Sequence, residues 1–190
     1  MAKAKHTIRI ISGSHRSRRL PVLDYSGLRP TGDRLRGVLF NWLQMHLAGK
    51  KVLDLCAGSG ALGFEASSRG ASHVELVESN RRIYNQLHQV KEDFNFQNTV
   101  VINQTAQKFL SQSHDKYDVV FLDPPFSDNL LEELTLLTLP HVTTNGFLYR
   151  ESAMDQELLK LPNNWQLYRQ KNAGQVKIEL WRKLKSNLEE

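Results

Sequence analysis

Apolar residues recur along the chain in two alternating rhythms. Compact apolar runs occur at KVLDL (51–55), HVELVE (73–78), TVVIN (99–103), YDVVFLD (117–123) and GFLYRE (146–151). They are rich in β-branched residues and nearly continuous, as strands covered on both faces require. Helical stretches at 61–69, 80–94 and 105–112 separate the first four, and another at 128–138 follows. This alternation predicts a mostly parallel sheet with helices on both faces. The end of the chain differs. WQLYRQ (165–170) and QVKIELWR (175–182) flank KNAG, with Gly174 as turn residue, and read as a closing antiparallel hairpin. Upstream, IRII (8–11) and RLPVL (19–23) predict a small hairpin around Gly13. Thr31 or Asp33 can cap the next helix, whose apolar stripe runs through Leu35, Leu39, Trp42 and Met45 or His46. Phe40, Trp42, Trp165 and Trp181 read as packing residues. The pattern divides into a basic hairpin arm (1–30), an α/β domain (31–185) and a frayed tail (186–190).

Charge changes this picture at one end. The first 50 of 190 residues hold ten Lys and Arg against two acids, a balance of +8. The rest of the chain carries −3 of the total of +5. A basic arm ahead of a mildly acidic body favours a polyanionic partner, nucleic acid above all. A solvated, charge-rich terminus is the alternative. His6 and His15 lie in the same arm, within reach of phosphate. No apolar run approaches the roughly 18 residues of a membrane span. The first ten residues lack the apolar core of a signal peptide, so a cytoplasmic location is expected. A lone cysteine, Cys56, excludes an internal disulfide and reads as a small buried apolar residue. The histidines show no ligand spacing, so no metal is expected.

The first candidate site is Gly58-Ser59-Gly60-Ala61-Leu62-Gly63, a GxGxxG pattern that follows a strand and opens a helix. Its glycines permit a tight turn and let a ligand lie against bare backbone. Glu78 ends the next strand, 20 residues after Gly58, where a carboxylate can accept from both hydroxyls of a ribose. Asp54 stands in the strand end four residues before Gly58. An acid there suits a cationic ligand better than a pyrophosphate. S-adenosylmethionine, with its ammonium and sulfonium, fits better than a nicotinamide dinucleotide.

The second candidate site is Asp123-Pro124-Pro125-Phe126 at the end of the fourth strand. Two prolines fix two φ angles, remove two backbone donors and force Asp123 into an extended conformation. The loop offers acceptors only, followed by an aromatic ring. That combination cradles a planar base with an exocyclic amine. In a sheet ordered 3-2-1-4-5 this loop and the glycine loop open into one crevice.

VLDLCAGSGALG, the acid of VES, and DPPF resemble class I S-adenosylmethionine-dependent methyltransferases of exocyclic amines. The upstream block RIISGSHRSRRL…GLRPTGDRLRGVLFNWL is similar to that of the bacterial 16S ribosomal RNA guanine-N2 methyltransferases of the RsmD type. The likeness spans residues 8–182. It implies a Rossmann-like, seven-stranded methyltransferase sheet and a guanine of 16S rRNA as substrate, inside an assembling small ribosomal subunit; separately, a monomer is expected. It places the cofactor near Asp54, Gly58, Ser59, Gly60 and Glu78, with Thr105 and Ala106 beside the adenine and Arg29-Pro30-Thr31 bordering the pocket. From the loop chemistry, Asp123, Pro124 and Phe126 are the expected catalytic set, and from the charge distribution Arg9, Arg16, Arg18, Arg19, Arg29, Arg34 and Arg36 are expected to face RNA beside the crevice. Gly37 and Cys56 depart from the family pattern, where a Glu and a larger residue are expected. An adenine-N6 methyltransferase, an NAD-dependent oxidoreductase and a non-catalytic RNA-binding assembly factor are the competing functions.

Overall fold

The computed structural model describes residues 6–22, 33–125 and 130–185; Arg29, Thr31, Phe126 and the 186–190 tail lie outside them. Strands β1 (His6–Arg9) and β2 (Arg19–Val22) pair antiparallel as the expected hairpin. The main sheet contains β3 (Lys51–Asp54), β4 (His73–Val77), β5 (Thr99–Ile102), β6 (Tyr117–Leu122), β7 (Val142–Ala153), β8 (Trp165–Ala173) and β9 (Val176–Lys183). Their spatial order is β5-β4-β3-β6-β7-β9-β8. The first five are parallel, and β9 runs antiparallel to both β7 and β8. This is the predicted mixed sheet, with the order reversing between β3 and β6.

Among the described residues, five helices cover it: α1 (Asp33–Trp42), α2 (Ala61–Ser68), α3 (Arg81–Phe94), α4 (Ala106–Gln112) and α5 (Leu130–Thr138). Successive strand residues point to opposite faces. Val52, Val119, Phe121 and Tyr149 therefore join the core under α1, α2 and α3, whereas Leu53, Val120, Leu122 and Leu148 join the core under α4 and α5. Trp165 is buried, and Trp42 and Trp181 pack against the two cores. Among the described residues no helix is long and apolar enough to cross a membrane.

Two local expectations shift. β7 begins at Val142 rather than 146, because Asn145-Gly146 forms an irregularity inside the strand instead of a loop before it. Asn145 is left-handed (φ 65°), and a Cβ on Gly146 would lie 2.8 Å from the Thr143 carbonyl oxygen. Met45 is 87% exposed, because α1 stops at Trp42 and the helical phase of its stripe ends there. Gly37 sits inside α1, where an added Cβ would meet nothing within 4 Å.

The arm is bound to the body through its alternating inner face. Ile8, Ile10, Leu20 and Val22 are buried in the core, while Thr7, Arg9 and Arg19 face outward. The turn of the hairpin is held by α2. Glu65, fully buried, accepts from the backbone N–H groups of Ile11 (2.7 Å) and Ser12 (3.1 Å) and from Arg69 Nε (2.6 Å). Ser68 adds bonds to Ser12, Ser14 and His15. His15 stacks on Phe96 (centroids 4.0 Å apart) and bonds through Nε2 to the Phe94 carbonyl, so it anchors the arm to the body.

Candidate active site

Each of four adjacent strands in the middle of the sheet carries a carboxylate at or just past its carboxyl end: Glu78 after β4, Asp54 on β3, Asp123 after β6 and Glu151 near the end of β7. This rim is where parallel α/β sheets bind ligands, and the β3/β6 boundary is the switch point. The sequence reading found three of the four acids.

The glycine loop is shaped as its motif requires. Gly58 and Gly60 adopt positive φ (50° and 74°). A Cβ on Gly63 would lie 2.0 Å from Leu76 Cδ2, so α2 rests directly on β4. Ser59 is half-buried in the turn between the two glycines. Asp54 Oδ2 accepts the Gly63 N–H at 2.9 Å, which ties the strand end to the first turn of α2. Burial pushes the Asp54 carboxyl up to about 7; the Gly63 N–H opposes that rise and the negative charge of Glu78 adds to it. Glu78 bridges two segments. Its Oε2 accepts from Gly58 N (3.0 Å) and its Oε1 from Asn80 N (2.7 Å). Asn80 in turn caps α3. The arm adds a wall here: Pro21 lines a cleft with Gly58, Ser59, Ile83 and Leu87, and its carbonyl accepts from Gln86 Nε2.

Thr105 caps α4 at the end of β5, accepting from Lys108 N (3.3 Å), and Ala106 is buried behind it. Both lie on the same rim, two strands from the glycine loop. Asn103, which the sequence reading did not select, donates to the carbonyls of Glu78 (2.8 Å) and Ser79 (3.0 Å) and so joins the ends of β4 and β5.

Past β6, Asp123 is half-buried, Pro124 buried and Pro125 exposed. The carboxylates converge. Burial raises the Cys56 thiol, and the charges of Asp54, Asp123 and Glu78 raise it further. Cys56 is therefore a neutral thiol packed at the edge of the core, not a nucleophile. On the other side, burial holds the Tyr149 phenol well above its usual range, reinforced by the charges of Glu151 and Asp123. Tyr149 donates to Glu151 Oε2 at 2.8 Å. Asp123 thus stands between the glycine loop and the Tyr149–Glu151 pair. Neither of those two residues was selected from sequence, although an acid closing an otherwise apolar parallel strand was the available signal.

The arginines separate into distinct groups. Arg9 and Arg19 are exposed and directly opposite each other across the hairpin. Like charges so placed repel unless an anion lies between them. Arg16, Arg18 and Arg34 are also exposed. Arg18 lies over the Phe94 ring, 4.9 Å from its centroid, at the far end of α3 from Glu78. Fourteen helical residues separate those ends, about 20 Å. The arm's turn is therefore not beside the crevice, as expected from sequence. Arg36 is a correction of another kind. It is fully buried, and its guanidinium donates to the Arg9 carbonyl. It shares a helical phase with buried Phe40 and Leu43, so it braces α1 against β1 and cannot face RNA.

Comparison with known proteins agrees with this architecture. Residues 8–182 match the family described as Conserved hypothetical protein 95. Ribosomal RNA small subunit methyltransferase D of Escherichia coli K12 is 42% identical over 193 residues, covering 96% of each chain. The protein of that name from Haemophilus influenzae is also 42% identical, covering 94% of this chain and 95% of that one. The solved structure of the Escherichia coli protein yhhF superposes with a TM-score of 0.87 at 39% identity, covering 95% of this chain and all of that one. With matches of this extent to both sequence and fold, the chain belongs to the Conserved hypothetical protein 95 family and to the family of ribosomal RNA small subunit methyltransferase D.

Proposed function

We propose that this protein transfers a methyl group from S-adenosylmethionine to the exocyclic N2 amine of a guanine in 16S rRNA, acting in the cytoplasm on an assembling small ribosomal subunit. The observation that carries the reading is the stiff acceptor-only loop at Asp123–Pro125, one strand from a glycine cradle walled by carboxylates. The ribosomal substrate is supported by the names of the relatives.

The residues present fit this cofactor. A cradle bordered by Asp54 and Glu78 favours a cation, and Glu78 is the acid that would hold the ribose. When bound, S-adenosylmethionine supplies a methyl group made electrophilic by a positively charged sulfur. The chain's own residues must then position a poor nucleophile, because the amine's lone pair is delocalised into the base. The Asp123 carboxylate and the Pro124 carbonyl accept the two amino hydrogens, which frees the lone pair and aims it across the β3/β6 boundary. Orientation of this kind supplies on the order of 7–11 kcal/mol in well-aligned cases. Asp123 need not remove a proton beforehand, because accepting the amino hydrogens already turns the lone pair toward the methyl group. It stabilises the positive charge that grows on nitrogen, and the proton leaves to water after transfer.

The test is mass spectrometry of 16S rRNA nucleosides from cells lacking the gene, then complemented with wild type or with Asp123→Ala. N2-methylguanosine should fall on deletion, return with wild type and stay low with the variant, whose cofactor affinity should be near normal. Loss of N6-methyladenosine instead, or full complementation by folded Asp123→Ala, overturns the reading.

A further inference from the structure

We propose that Glu151 reads the N1–H of the target guanine, so that the Glu151–Asp123 pair, oriented by Tyr149, selects guanine over adenine. This rests on the guanine-N2 reading and extends it to the choice of base.

The register carries the argument. β6 and β7 pair in parallel, with Phe121 opposite Tyr149 and Leu122 opposite Arg150. Continued one residue, this register brings Asp123, just past β6, alongside Glu151, one strand spacing or about 4.8 Å away. The Asp123 charge acts on Tyr149, the partner of Glu151. Side-chain alternation puts Glu151 on the face of Tyr149, beneath α1. Glu151 is only 5% exposed. Burying a carboxylate costs several kcal/mol unless hydrogen bonds hold it. The Tyr149 hydroxyl supplies one such bond from inside the sheet, at 2.8 Å, and fixes the carboxylate's orientation.

The chemistry follows from what a carboxylate can do. An ionised carboxylate accepts and cannot donate. Guanine presents two neighbouring donors, N1–H and the N2 amine. Adenine presents its amine beside N1, a bare acceptor. If Asp123 takes the amine, the next acceptor along the rim meets N1. With guanine, Glu151 gains a charge-assisted hydrogen bond. With adenine, two acceptors face each other, a repulsive arrangement that rejects the wrong base. The Asp123 loop alone serves either amine, so the second carboxylate supplies the discrimination.

The experiment uses the intact protein and small-subunit particles reconstituted on ligated 16S rRNA. The rRNA carries either guanine or 2,6-diaminopurine at the position that wild type methylates. Diaminopurine keeps the 2-amino group but has a bare N1. Wild type should prefer guanine by about tenfold or more in kcat/KM, as expected where a site hydrogen-bonds a group that its competitor lacks. Glu151→Gln places an amide donor at N1 and should lower the guanine-to-diaminopurine ratio by about tenfold or more. A purely structural role would reduce both rates and leave the ratio unchanged, and that result overturns the inference while N2-methylguanosine production still stands. A wild-type product other than N2-methylguanosine overturns the function reading itself. Should Glu151→Gln not fold, Tyr149→Phe decides: it removes the orienting hydroxyl and should lower the ratio by about threefold, and an unchanged ratio overturns the inference.

Discussion

Asp54 ends β3 almost out of contact with solvent, and burial lifts its carboxyl from 3.8 to about 7. Between those values the folded protein holds a proton that the unfolded chain has released. Stability due to this group therefore falls as the pH rises through that window and levels off above about 7. Asp54→Asn keeps an acceptor for Gly63 N–H but has no proton to lose. Denaturant titration at about pH 5 and about pH 8 should show wild type losing stability relative to the variant at the higher pH. Parallel changes in the two proteins would mean that Asp54 stays ionised throughout. The residue scale also explains the difference between Arg36 and Arg34. Two positions along one helix are about 200° apart, which turns one arginine into the core and leaves the other in water.

At the scale of elements, the hairpin depends on α2 as much as on its own pairing. A two-stranded hairpin is marginal by itself. Here the inner apolar face and the Glu65 carboxylate hold it, the latter reaching backbone donors more than 50 residues away in sequence. Glu65→Ala leaves those donors and Arg69 without this acceptor. It should cost about 1–3 kcal/mol, and hydrogen exchange at Ile11 and Ser12 should speed up far more than in β3 or β4. Unchanged protection at Ile11 and Ser12 would show that apolar packing alone secures the arm. Because Pro21 lines the cleft beside Gly58 and Ser59, loosening the arm also opens one wall of the proposed cofactor site.

Over the whole molecule, charge and crevice occupy different places. Arg16 and Arg18 lie at the hairpin's turn, near the C-terminal end of α3, and the carboxylate rim lies at the other end of the sheet. Under the proposed function, a docked RNA would reach the arm with backbone flanking the target, while the base itself would enter among acceptors. Extruding that base costs a few kcal/mol, and phosphate contacts at the arm can offset it. Replacing Arg16, Arg18 and Arg19 together by Ala should weaken binding of the small-subunit particle. It should flatten the salt dependence by about 0.7 in slope for each single-strand phosphate that the variant no longer neutralises. Calorimetric cofactor affinity should not change. Equal salt slopes for mutant and wild type would make the arm a solvated extension.

The periodicity of apolar residues located the strands, the helices and the closing hairpin, apart from the start of β7 and the end of α1, because the positions that an element buries follow its own local repeat. The glycine spacing marked the cradle for the same reason: positive φ at Gly58 and Gly60 is a local demand, whereas the bare Gly63 is required by the packing of α2 on β4. Three of the four rim acids were legible as charges ending apolar strands. Tertiary structure alone decided the rest. That Glu65 grips the arm, that Arg36 is buried, that Asn145-Gly146 lies within a strand and that the Tyr149–Glu151 pair lies on the strand beside β6 all follow from pairings between distant segments. Sequence gives the type of a charged residue. The burial, register and partners that set what the charge does arise only when strands and helices from different parts of the chain pack together.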